Sequence, residues 1–311
     1  MAATLSGRGV RAQLRPRRSW RGTSGILGPA GLGGALLAAI ALIAVFAPDI
    51  APYSPTAMNA AEPLAPPSLH HLFGTDQLGR DVLSRVIFGA RPTLLVAAVG
   101  TALAAAAGVP LGMLAGARRR IASGVIMRSM DVLLAFPGIL LALVVVTVAG
   151  SGLSTVVTAV ALSLIPIFAR LAYAETGSII QSGFVHAARV IGSSEPRTLR
   201  RQVLPNLVSE VLVSATSMVG WAILIAASLN FLGFGVQPPS PDWGADLSTA
   251  VQYVNTAWWL ATFPGLAIAV TILAVNAFGD RLRDWLDPRR GRSPARVAPE
   301  VEVELGGTLY G

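Results

Sequence analysis

Five long stretches of this sequence carry no charged side chain, and they limit the fold more than any other feature. They cover residues 22–48, 92–117, 132–169, 211–241 and 247–279. The third is 38 residues long. As one helix it would measure roughly 57 Å, nearly twice the ~30 Å hydrocarbon core of a bilayer. It must therefore fold back, and Gly150-Ser151-Gly152 is where glycine punctuates the helix. The last two stretches also exceed one span, and each includes a Pro/Gly/Trp-rich portion that reads as loop. The pattern gives six membrane helices, near 26–48, 93–116, 132–149, 153–172, 209–230 and 257–278.

Composition agrees. Hydrophobic residues make up 53% of the 311 and charged residues 13%, against about 25% charge in a soluble domain. Too little polar surface is left to face water, so lipid is the solvent for much of the chain. The first apolar run exceeds the ~7–15 residues of a signal-peptide core, so it reads as a membrane helix. Cysteine is absent, which removes disulfides, thiolate metal sites and thiol nucleophiles.

All 24 basic residues are arginine. Without lysine the chain cannot be a P-loop ATPase or form a Schiff base. Twenty-one of the 24 arginines fall on one side of the six-span layout. They lie in the amino-terminal tail, after span two (Arg118, Arg119, Arg120, Arg128), after span four (Arg170, Arg189, Arg197, Arg200, Arg201) and in the carboxyl tail. That side is the cytoplasm by the positive-inside rule, and both termini share it. Only Arg80, Arg85 and Arg91 fall opposite. The expected organisation is an arginine-rich tail (1–25), the first helix (26–48), an extracytoplasmic loop (49–92), a five-helix core (93–280) with a cytoplasmic loop at 174–206, and a partly disordered tail (281–311).

Inside the spans, Gly108, Gly112 and Gly116 share one helix face and allow close backbone approach. Static packing within the chain is the favoured reading, over a contact that shifts during a transport cycle. Pro137 and Pro166 are candidate kinks. Asp131, Asn230 and Asn276 lie at span ends, and no span has an ionisable residue at its middle. That disfavours a proton-coupled carrier or a self-contained channel. No His-Glu-x-x-His helix exists among three histidines, and no Ser–His or Ser–Lys pair is expected in the bilayer, so an intramembrane protease is disfavoured too. His70-His71 lacks the further ligands of a metal site.

The loop at 174–206 is the most informative segment. Phe184, Ala187, Ala188 and Ile191 fall at i, i+3, i+4 and i+7, one apolar stripe of a short helix. Gly192 stops it, and Ser193-Ser194-Glu195-Pro196 reads as the start of a second helix. Such an exposed amphipathic element suits a groove in a partner protein.

Here the chain resembles a family. Phe184-Val185-His186-Ala187-Ala188-Arg189-Val190-Ile191-Gly192, followed by Leu204-Pro205, is similar to the EAA loop of ABC importer permeases, with His186 where the motif has glutamate and Gln202 where it has isoleucine. Three further stretches resemble the dipeptide/oligopeptide/nickel branch of binding-protein-dependent systems, and its C-type permease in particular. They are residues 73–85, residues 131–137, and residues 229–239 with Asp242-Trp243-Gly244. The resemblance implies an all-α, type I ABC importer permease fold with six transmembrane helices. It implies a translocation path for di- or oligopeptides, nickel chelates or glutathione across a bacterial cytoplasmic membrane. The implied partners are a homologous second permease, two ATP-binding subunits that hold ATP and magnesium, and an extracytoplasmic substrate-binding protein; no cofactor on this chain and no nucleic acid are expected. Residues Phe184–Gly192 with Leu204 and Pro205 would couple to the ATPase. Asp76, Arg80, Asp81, Arg85, Gln237 and Trp243 are candidate contacts of the outer loops. The bland alternative for the first four is a salt-bridged structural role.

Overall fold

The computed structural model describes residues 29–117 and 121–286. The tail 1–25, the start of the first expected span, Arg118–Arg120 and the tail from 287 onward lie outside the described residues. The helices are α1 (Pro29–Val45), α2 (Ala47–Ile50), α3 (Val82–Ala117), α4 (Ile121–Leu134), α5 (Gly138–Ala149), α6 (Leu153–Ile180), α7 (Gly183–Val190), α8 (Glu195–Thr198), α9 (Leu204–Phe231), α10 (Trp243–Ala250) and α11 (Trp259–Leu286). A π-type turn, Leu199–Val203, joins α8 to α9, so that 195–231 forms one 37-residue helix. Among the described residues there is no strand, only an isolated bridge between Thr75 and Asp81.

Four helices are long and apolar enough to cross a membrane: α3, α6, α8 to α9, and α11. The chain is a multi-pass, all-helical membrane protein. One expected span takes another form. The third, expected as one helix over 132–149, is α4 and α5 meeting at 89°. Pro137 is the N-cap residue of α5, with no side-chain cap; its missing N–H and fixed φ prevent α4 from continuing. By contrast α6 runs straight through Pro166. The first expected span is described only from Pro29 onward, as the apolar α1 (Pro29–Val45). Other helices overrun their expected limits. Helix α3 begins at Val82, inside what was expected to be loop, and α11 continues to Leu286.

The core is the seam between α3 and α6. Gly100, Ala104, Gly108, Gly112 and Gly116 recur every four residues and so form a strip along α3. A Cβ added at Gly108 would lie 2.6 Å from the Ile165 carbonyl oxygen and 2.8 Å from Phe168 Cβ. At Gly112 it would collide with the Ala169 carbonyl oxygen, and at Gly116 it would lie 2.8 Å from Thr176 Cβ. Backbone therefore meets backbone. Apolar side chains gain little by leaving lipid for a neighbouring helix, so close van der Waals contact is what holds such a pair. Phe168, Leu164, Val160, Ala169 and Ala172 are almost fully buried along the same seam.

Gly112→Ala is therefore expected to destabilise the chain in detergent by about 1–3 kcal/mol. Gly124→Ala, on α4 with nothing within 4 Å of the added carbon, is expected to be neutral or stabilising by up to ~1 kcal/mol through helix propensity. Thermal unfolding of both variants checks the contrast; equal shifts would show that the seam is not close-packed.

Candidate functional site

Two regions at opposite ends of the bundle gather the sequence-predicted residues. The first is α7 with its flanks. Ser182 precedes the helix, its hydroxyl donating to the Ile179 carbonyl at 2.6 Å. The eight-residue helix ends in a tight stop. The amide of Gly192 donates to Arg189 O and that of Ser193 to Ala188 O, both at 3.0 Å. This pair of hydrogen bonds requires a left-handed residue, and Gly192 has φ +88. Ser194 is then the N-cap of α8, with Pro196 in its first turn, although the serine hydroxyl makes no capping bond.

The expected apolar stripe is divided. Val185 and Ala188 are buried against the rest of the chain. Phe184 and Ile191 are 53% and 86% exposed, and Ala187 is exposed beside them. Val190, absent from the expected stripe, is 87% exposed and widens this outer face. The reason is angular. At ~100° per residue, Ala188 turns from Phe184 toward Val185, so the helix is apolar on two sides: one anchors it and one is free. His186 is exposed on α7. Leu204 and Pro205 open α9, where proline lacks only an amide that the first turn leaves unpaired.

The second region caps the other end, where residues 46–81 and 232–258 fold over α3 and α9. Its centre is a buried ionic network. Asp76 Oδ1 accepts from the amides of Leu78 at 2.8 Å and Arg80 at 2.9 Å, and Oδ2 pairs with Arg80 Nε at 2.5 Å. Asp81 caps α3, its Oδ2 accepting from the Ser84 amide and hydroxyl at 2.8 and 2.7 Å. Its Oδ1 meets His71 Nδ1 at 2.9 Å, and His71 Nε2 lies 3.3 Å from Glu62. Arg85 pairs with Asp246 and also donates to Pro55 O at 3.1 Å and Pro239 O at 3.3 Å. One guanidinium thus ties α3 to both loops and to α10.

The expected i,i+4 pairing holds for Asp76–Arg80, in a turn and not on a helix, but no ion pair joins Asp81 to Arg85. Capping commits Asp81 to Ser84 and His71, which frees Arg85 for Asp246. Asp76, Arg80, Asp81 and Arg85 are all buried, and so is Trp243, whose Nε1 donates to Val86 O at 2.8 Å. Gln237 is exposed and folds back, donating to Gly233 O and Gly235 O. Sequence reading missed His71, Asp246 and Asp242 as members of this cap. Asp242 carried a signal, since an aspartate before Trp243-Gly244-Ala245 is an N-cap pattern; its Oδ1 accepts from Gly244 N at 2.9 Å and Ala245 N at 3.2 Å. Among the described residues no cluster of three or more His, Asp or Glu side chains is arranged to hold a metal.

Between the two ends, the α4–α5 elbow opens onto a cavity of about 550 Å³ lined by Phe136, Pro137, Ser163, Trp221, Ile225 and Ser228. Toward α7, Asp131 and Arg170 pair at 2.5 Å and join α4 to α6 beside a wider polar hollow.

A helical bundle with a broken span, a short exposed helix at one end and a folded cap at the other is the architecture of a transport permease. The sequence profile described as the binding-protein-dependent transport system inner membrane component matches residues 108–292. The di/tripeptide transport system permease protein DppC of Pseudomonas aeruginosa is 43% identical over 83% of this chain and 88% of its own. The dipeptide transport system permease DppC of Escherichia coli is 44% identical over 80% and 85%. The glutathione transport system permease GsiD of Shigella flexneri is 50% identical over 80% and 82%. An inward-facing structure of the MetNI methionine ABC transporter shares the fold, with TM-score 0.54 at 16% identity over 65% of this chain and 96% of that one. The chain belongs to the binding-protein-dependent transport system inner membrane component family.

Burial pushes the Asp242 carboxyl above its ordinary value of 3.8, against the pull of the Ala245 amide, the Asn230 side chain and the Gly244 amide. The ionised form therefore costs stability: its penalty grows as pH rises from 3.8 through the raised value and is relieved on acidification. Asp242→Asn keeps a capping oxygen and removes the charge. Its unfolding midpoint is expected above the parent's at about pH 7, with the gap closing toward about pH 4. Asp242→Ala also loses the charge but lacks the cap, so it should lie about 1 kcal/mol below Asp242→Asn at either pH. Thermal scans across this range check both.

Proposed function

We propose that this chain is one permease subunit of an ATP-driven importer of di- or oligopeptides in a bacterial cytoplasmic membrane. A homologous permease would supply the other half of the path. Two ATP-binding subunits would hold ATP and magnesium and perform hydrolysis, and an extracytoplasmic binding protein would deliver substrate to the capped end. In this reading the chain spans the membrane six times, with α1 and the bent α4–α5 pair each counted as a crossing. Both termini and α7 then lie in the cytoplasm, in accord with the arginine distribution. The similarity to dipeptide and di/tripeptide permeases supports peptides. The 50% identity to a glutathione permease favours glutathione, itself a tripeptide, as the second reading.

The observation that carries the coupling role is the free apolar face of α7. Phe184, Val190 and Ile191 are exposed on a helix whose other side, Val185 and Ala188, is anchored in the chain. Exposed apolar surface beyond the lipid is the mark of a partner contact. A partner that closes on this face with ATP bound would shift the permease between its two states by the difference in its affinity for them.

Phe184→Asp should leave insertion and pairing with the second permease intact, because the side chain is half exposed. It should lower ATP-dependent uptake by tenfold or more, since ~1.4 kcal/mol of lost contact is already tenfold. Uptake of labelled dipeptide and of glutathione by proteoliposomes of the full complex, with and without ATP, tests the coupling and the substrate. Uptake that persists without ATP, or an unaffected variant, would refute the reading.

A further inference from the structure

Beside the free face of α7 lies a small groove between α7 and the α8–π turn. It measures about 220 Å³ and is lined by Ala188, Ile191, Ser193, Arg197, Arg201 and Gln202. That is below the ~300–1,000 Å³ of small-molecule pockets and suits a single side chain. Resting on the coupling role proposed above, we propose that this groove receives a carboxylate side chain of the ATP-binding subunit, gripped by Arg197 and Arg201.

Three observations point there. Arg197 and Arg201 stand four residues apart on the continuous 195–231 helix, and both face the groove. Among the described residues neither forms an ion pair, nor do Arg189 and Arg200 nearby. Two guanidiniums with free forks match a carboxylate in bidentate geometry. The second observation is Gln202. Its amide oxygen is buried and has no hydrogen-bond partner. A buried acceptor left unpaired is costly, and a half turn of the amide would instead present its N–H group to an entering carboxylate. The third is continuity. Ile191 forms a wall of the groove and at 86% exposure is also part of the free apolar face. An occupant of the groove is thus in contact with whatever covers α7.

The test uses the full complex purified in detergent, with the ATP-binding subunit untagged. Arg197→Glu with Arg201→Glu should lower capture of that subunit at least tenfold while the second permease still co-purifies, which reports correct folding. Arg197→Lys with Arg201→Lys should lower capture by less than the Glu pair does, because the charge is retained while the bidentate fork is lost. Acid-to-arginine substitution of the facing residue on the ATP-binding subunit should restore the Glu variant. If Phe184→Asp abolishes capture and the double Glu variant does not, the carboxylate proposal fails and the coupling role stands. If neither affects capture, both fail. If the Glu variant loses only binding to phosphatidylglycerol vesicles, the groove is a lipid headgroup site and the proposal is overturned.

Discussion

Backbone-to-backbone contact between α3 and α6 sets the geometry on which the other helices build. Inside a bilayer the apolar effect that drives soluble folding is nearly silent between helices, so shape has to do the work. Glycine or alanine at every fourth position of α3 lets the Ile165 and Ala169 carbonyls approach where a side chain would otherwise stand. With these two axes fixed, α9 and α5 pack against α6, and α1 against α11, which places Gly33 on Ala277 in a second close contact. Arg91 then fastens α1 to α3, donating to the carbonyls of Ala44 and Val45 at the end of α1.

The cap solves a different problem. Its residues lie beyond the spans, yet it buries four carboxylates or guanidiniums from one short stretch, Asp76, Arg80, Asp81 and Arg85. Buried charges are tolerated only when paired and hydrogen-bonded. Here Asp76 and Arg80 lock their own turn, while Asp81 and Arg85 reach His71 and Asp246, so the pairing also fixes where the loops sit. Trp243 and Trp259 repeat the device with indole N–H groups donating to Val86 O and Thr75 O. The aromatic bodies fill the space and the polar ends set the register.

Much of this was legible in the sequence because it is local. Charge-free stretches mark the spans, four-residue glycine spacing marks the seam, and Gly192 after an apolar helix marks its end. What was not legible depends on direction or distance. Pro137 announces that a helix stops, but the 89° turn that follows is set by what α5 packs against. The stripe on α7 was drawn from apolar spacing alone, and nothing in eight residues says which of two apolar sides will meet the chain. Arg85 finds Asp246 across 161 positions, and no local pattern names a partner that far away. The same holds for the α7–α8 groove, where Arg197 and Gln202 acquire meaning only when Ile191 is brought beside them.

The helix formed by α8, the π turn and α9 runs without a break from beside α7 to Phe231, under the cap. At ~1.5 Å per residue its 37 residues span roughly 55 Å. Such a rod is a lever. Pivoted near its middle, a tilt of only 5° would carry each end through roughly 2 Å in opposite directions. That is comparable with the helix displacements of known switching proteins. One end of this lever carries the arginines of the groove, and the other, through Ala227 and Asn230, touches Gly235 and Gly244 at the start of α10. A push too small to unpack the glycine seam is therefore enough to be felt on the far face of the molecule.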